Sequence, residues 1–193
     1  DMLVHKGREL DIVAQAEMLA PYLALREDLT RGAYASYAAE LVDRFAAQGD
    51  EDYQSVFALL DSTLDHLCSD SEPRLVVRYF EVHLLDLVGF RPELTECVVS
   101  REDIQAEDQF FSYGLGGVVT PGYAHEGVAT VPISMMALKL LRHIQRSPYS
   151  QVKALQIPAP VHHEVERIVL GYITYLLERR LQSVDFIRRV RQF

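Results

Sequence analysis

Only two cysteines occur in the 193 residues, Cys68 and Cys97, far apart in sequence. So sparse a set supplies no disulfide framework and fits a reducing compartment, where each thiol is expected to pack as a small buried hydrophobe. No stretch of about 18 residues is apolar and charge-free enough to span a bilayer. The opening residues, Asp1 to Lys6, lack the apolar core of a secretory signal. A cytoplasmic protein with no membrane partner is expected. Catalytic signatures are missing as well: there is no nucleophile elbow, no zinc-binding His pair on a helix and no Cys–His arrangement. The run Gly114-Leu115-Gly116-Gly117 lacks the spacing of a phosphate loop, and no Lys-Ser or Lys-Thr follows it. Tight turns between short strands account for it. Internal repeats and low-complexity tracts are absent too, so the chain reads as a non-enzymatic globular protein without a cofactor.

Apolar residues make up 49% of the chain and charged residues 24%. Those proportions are enough to build a core. The formal net charge of −9 opposes a whole-surface attraction to nucleic acid. Its distribution is uneven. From His163 to Phe193 six arginines face four acids, a local net of +2 against −11 for the remainder. Arg179, Arg180, Arg188, Arg189 and Arg191 are therefore the candidate phosphate contacts, because a guanidinium fork meets phosphate oxygens two at a time. Capping of helix C-terminal dipoles by solvated arginines is the competing explanation.

The hydrophobic pattern is mainly helical. Leu10 to Ala16 alternates loosely as a strand. Leu29, Ala33, Tyr37, Leu41 and Phe45 recur at fours, with Gly49 as the stop. Tyr53, Val56, Leu60, Leu64 and Leu67 mark a second helix. Pro73 opens a third, Arg74–Val88, apolar nearly all round and so expected to be the most buried. Residues 93–130 change character, with five glycines and two short strands at Phe110–Tyr113 and Val118–Thr120. Helix returns at Pro132–Arg146, with Ser134 as a candidate cap. A connector at Ser147–Pro160 leads to a long helix at Val161–Leu181 and a last one at Val184–Gln192. His162-His163-Glu164 reads as a solvated helix start and not as a metal site. The predicted fold class is mainly α, with a small β-containing insertion.

Five segments in order carry a family resemblance. They are Leu10–Glu17, Leu25–Leu29, Arg78–Leu94 with its Gly89-Phe90-Arg91-Pro92-Glu93-Leu94 ending, Phe111-Ser112 with Gly116–Val119, and Arg179–Ser183 with Phe186-Ile187. Together they resemble the RecO family of recombination mediators, which implies four parts. Residues 1–25 would be the end of an N-terminal OB fold, mostly missing. Residues 26–92 and 131–193 would form a helical domain, and 93–130 a zinc-finger-like insertion. The family's four zinc-binding cysteines correspond here to Cys97, Ser100, Thr120 and Tyr123. One thiolate cannot close a tetrahedral site, so no zinc is expected. Phe110, Phe111, Tyr113, Val118, Val119 and Tyr123 are the candidates to hold the insertion instead.

The resemblance also implies function and partners: single-stranded DNA, the acidic Phe-terminated tail of single-stranded-DNA-binding protein, and a RecR-type protein. The family's activities are strand annealing and recombinase loading. Arg74, Arg78, His83, Leu84, Leu87, Phe90 and Arg91 are the candidates for the tail site, cations beside apolar side chains. A core role with snorkelling basic groups competes with it. The alternative for the whole chain is an all-α protein-interaction scaffold without DNA affinity of its own.

Overall fold

The computed structural model describes residues 2–46, 53–124, 129–178 and 181–191. The protein is mainly helical, with two small sheets. Strands β1 (Met2–His5) and β2 (Ile12–Ala16) pair antiparallel as a hairpin, and every strand residue is exposed. Helices α1 (Leu23–Glu27), α2 (Leu29–Ala46), α3 (Tyr53–Ser69) and α4 (Pro73–Leu87) follow. The predicted stop at Gly49 lies outside the described residues.

Helix α4 is the centre of the molecule, as its apolar circumference requires. It packs against α2, α3, α5 (Met135–Arg146) and α7 (Ala159–Leu177). Leu75, Val76, Val77, Phe80, Val82, Leu84 and Leu85 are all buried on it. Gly89 ends it at a φ of 80°. That is the left-handed region, which favours glycine.

The insertion holds a three-stranded antiparallel sheet in the order β4-β3-β5, formed by Gln109–Ser112 (β3), Gly117–Val119 (β4) and Val131–Ile133 (β5). The third strand is a correction to the sequence reading, which began a helix at Pro132. Proline occupies β5 opposite Phe110 because an edge strand need not donate at every position. The helix begins instead at Met135. Ser134 does cap it, its hydroxyl accepting from Ala137 N at 3.2 Å. Phe111, Val118 and Ile133 join the same buried cluster as the helices. The Phe111 ring meets Tyr172 of α7 edge-on at 5.6 Å. Sheet and helices thus share one core, with an aromatic pair at the seam. Of the other predicted contributors, Val119 is buried, Phe110 and Tyr113 are half-buried, and Tyr123 is exposed.

The connector contains a short helix, α6 (Tyr149–Val152), that sends Tyr149 and Val152 into the core. The last element, α8 (Gln182–Val190), returns to pack on α2.

Candidate nucleic-acid interface

On α7, His163, Arg167, Leu170, Gly171 and Thr174 recur at intervals of three and four, so they share one face. Val184, Asp185, Arg188 and Arg191 of the α8 segment face them. Tyr113, just past β3, closes the third side. The groove between has a volume of about 750 Å³. A second, more apolar pocket of about 420 Å³ lies against Tyr113, Leu115, Val131 and Tyr175. Tyr113 borders both, so a basic groove and an aromatic pocket are neighbours. Tyr175 is 54% exposed there.

The α8 wall is anchored at both ends. At its N-terminus the Glu40 carboxylate, from α2, accepts from Gln182 N at 3.0 Å and Ser183 N at 2.9 Å, and also from the Ser183 hydroxyl. Burial would raise the Glu40 pKa, but these donors outweigh it and hold it below the usual carboxylate value. At the other end Arg191 Nη1 donates to both Glu166 oxygens, at 2.7 and 3.0 Å. Arg191 Nη2 donates to the Tyr34 hydroxyl at 2.6 Å.

The predicted phosphate contacts are thus of three kinds. Arg191 is a structural clamp, a correction to its place in that set, since its guanidinium already donates to Glu166 and Tyr34. Arg188 and Arg189 are exposed; Arg188 has one acidic neighbour, Asp185, at 3.6 Å. Arg179 and Arg180 lie outside the described residues. Sequence reasoning missed His163, Arg167, Tyr113 and Tyr175 as a group. The α7 stripe was available as a signal, but only the fold brings Tyr113 to it.

The predicted tail site does not assemble as a unit. Arg78 is 5% exposed and ion-pairs at 3.0 Å with Glu81, which also accepts from the Tyr37 hydroxyl at 2.6 Å. Burial raises the Glu81 pKa to about 7, against the opposing pull of Arg78 and Tyr37. Leu84 is fully buried. Neither reaches a surface-docked peptide. Arg74 stands at the start of α4 and Arg91 beyond its end, roughly 20 Å apart along the helix axis. What remains together is the C-terminal end: Leu87 and Phe90, each 38% exposed, and Arg91, paired with Asp86 at 3.0 Å. His83, half-buried beneath them, bonds the Ile144 carbonyl through Nε2 at 3.1 Å, and burial depresses its pKa.

Of the four positions that the resemblance matched to zinc ligands, three meet: Cys97, Ser100 and Thr120. Cys97 is fully buried; its Sγ accepts from Ser100 N and Thr120 N, both at 3.5 Å, and from the Thr120 hydroxyl at 3.6 Å. Burial opposes ionisation, yet these donors bring the thiol down to about 6. Among the described residues no group of three or more His, Cys, Asp or Glu is placed to hold a metal ion. The His162 reading is corrected: that residue is buried, and only His163 is solvated. Glu164 caps α5 from a distance, accepting from Ser134 N at 2.7 Å and Ser134 Oγ at 2.5 Å.

The protein is thus a helical domain carrying a small sheet and an arginine-lined groove, and among its described residues no helix is long and apolar enough to cross a membrane. The chain is a member of the RecO family of DNA repair proteins: residues 26–185 match the family described as "Recombination protein O C terminal". It is 30% identical over 190 residues to the DNA repair protein RecO of Desulforamulus reducens, covering 98% of this chain and 73% of that protein. It is 37% identical over 186 residues to the RecO of Roseiflexus sp., covering 96% and 65%. Against the RecO of Symbiobacterium thermophilum it is 34% identical over 189 residues, covering 96% and 74%. The chain therefore spans about two thirds to three quarters of the length of these relatives.

Proposed function

We propose that this chain is the helical part of a recombination mediator. It binds single-stranded DNA and the tail of single-stranded-DNA-binding protein, and it works with a RecR-type protein to anneal strands and load recombinase. The α7/α8 groove is the observation that carries the reading. Arg167 and Arg188 offer cations with the His163 imidazole beside them, and Arg189 stands on the same helix as Arg188. Tyr175 with Tyr113 offers rings on which bases stack without regard to sequence. The hairpin β1–β2 is read as the end of an OB fold, and residues 93–130 as a zinc-finger-like module without its zinc ligands.

Anisotropy of a labelled oligothymidine tests the groove, at about 50 and 200 mM salt. Arg167→Glu with Arg188→Glu is expected to weaken binding and to flatten the salt slope by roughly one for each phosphate no longer neutralised. Unchanged affinity and slope would favour the scaffold alternative, which the net charge of −9 supports.

The tail is placed at the end of α4, its terminal aromatic against Leu87 and Phe90 and its carboxylate at Arg91. An acidic peptide ending in Phe should bind, and Arg91→Glu should abolish binding. Equal affinity for the variant removes the site from this face.

A further inference from the structure

A third pocket, of about 310 Å³, lies where the N-termini of α4 and α7 meet. Glu72, Arg74 and Leu75 come from one helix start, Ala159 and His162 from the other, with Ile157 from the connector between α6 and α7. Its volume is at the lower end of small-ligand sites. We propose that this pocket binds a phosphate group, held by Arg74 and His162.

Three observations point there independently of the groove. The His162 side chain is 8% exposed, lines the pocket, and makes no hydrogen bond to any described residue. A buried imidazole ordinarily has a partner for at least one nitrogen, so this one is a polar group turned to the cavity. The Arg74 guanidinium, on the exposed rim, makes no ion pair among the described residues. Its donors nevertheless match an oxyanion. Finally, α4 is 15 residues long and α7 is 19 residues long. Two positive helix ends thus converge on one cavity.

The electrostatics agree with the geometry. Burial lowers the His162 pKa, and the positive field of Arg74 depresses it further, with Arg78 and His163 acting in the same sense and Glu72 against them. A bound oxyanion would reverse that balance, drawing a proton onto the imidazole and adding a second charged donor. A tetrahedral oxyanion can accept from the guanidinium fork and the imidazole through different oxygens. The group can come as free inorganic phosphate or as the terminal phosphate of a strand.

The histidine ring resonances of the full chain, titrated with inorganic phosphate at constant ionic strength, test the proposal. One resonance, missing in His162→Gln, should shift saturably, and its pKa should rise with occupancy. Arg74→Glu, a surface change that spares the core, should weaken binding roughly tenfold or more, the worth of one charge-assisted contact. Competition distinguishes the sources. A 5′-phosphorylated oligonucleotide that displaces phosphate where its 5′-hydroxyl counterpart does not identifies a strand end, and displacement by neither identifies the free ion. A shift that fails to saturate by about 10 mM phosphate, or that is identical in Arg74→Glu, overturns the assignment.

Discussion

Arg191, the residue after α8, donates from a single guanidinium nitrogen to both carboxylate oxygens of Glu166, in the middle of α7, at 2.7 and 3.0 Å. Burial would raise the Glu166 pKa, but Arg191's hydrogen bond and the charges of Arg78 and Arg191 hold it below the ordinary value. With Glu40 at the other end, α8 is latched by two ionised carboxylates. A depressed folded pKa adds stability above the unfolded value, near pH 4.5, and that stability is lost as pH falls through the folded value. The groove wall is therefore expected to loosen only below about pH 4.5. Melting curves from pH 7 to about 3 should lose a step in Glu40→Gln that wild type retains, and Glu40→Ala should cost about 1 kcal/mol at pH 7, as other N-caps do.

Arg188 and Arg191 should separate in the same assay. Arg188→Ala leaves the stability unchanged within about 0.5 kcal/mol, because its neighbour Asp185 is exposed. Arg191→Ala lowers it, because Glu166 and Tyr34 lose their donor. Comparable destabilisation by both variants would refute the division between a solvated arginine and a clamp.

Much of the helical frame was legible because α2, α3, α4, α5 and α7 each carry several turns of unbroken apolar periodicity. Strand β5 was not, since three residues around Pro132 have no period, and pairing with β3 alone makes them a strand. Within the site, the arginines of α8 could be named from sequence but not sorted. Whether Arg191 is solvent-facing or clamped depends on Glu166 and Tyr34, 25 and 157 residues away. The Arg78–Glu81 pair was hidden for a similar reason. In a helix apolar all round, a charged pair three apart looks the same on a rim as in a core, and only the packing of α2 puts Tyr37 over it.

That pair gives a double-mutant test. Arg78→Ala leaves Glu81 without its ion-pair partner in the core and should destabilise clearly, by less than the roughly 3–5 kcal/mol of an unpaired buried charge, because a carboxyl already raised to about 7 then takes up a proton. Arg78 Nη1 and Glu81 Oε2 make no hydrogen bond, so the pair is only partly satisfied. Arg78→Met with Glu81→Met should therefore cost much less than the sum of the single changes. Additive losses in urea titrations would mean that the two charges act separately.

At Gly171 two effects of opposite sign compete. Alanine would favour the helix by about 1 kcal/mol. Its Cβ, however, would run into the Tyr113 hydroxyl and lie 2.5 Å from Tyr113 Cζ. Relieving such overlap in a packed site costs roughly 1–3 kcal/mol, so Gly171→Ala should destabilise. Tyr113→Phe removes only the hydroxyl and should rescue in part, while Tyr113→Leu should rescue more fully. A Gly171→Ala variant as stable as wild type would show that the ring moves aside freely, and with it this edge of the groove.

Cys97 combines two properties that rarely coincide: a thiol brought down to about 6, and complete burial. Thiolate character favours alkylation, but reaction requires access, and here access is missing. The thiolate absorbance should titrate in the folded protein with a midpoint near 6, while iodoacetamide should label Cys97 only at the rate of unfolding. Because the folded pKa lies below the unfolded value of 9.0, the contribution to stability is present above pH 9 and declines as pH falls through about 6. Cys97→Ala removes the acceptor for two backbone N–H groups and the Thr120 hydroxyl, and should cost roughly 1–3 kcal/mol, more at pH 9 than at pH 6. Cys97→Ser keeps an acceptor but not the charge, so it should recover the loss at pH 6 and not at pH 9. Equal deficits for the two variants at both pH values would show that the thiol merely fills space.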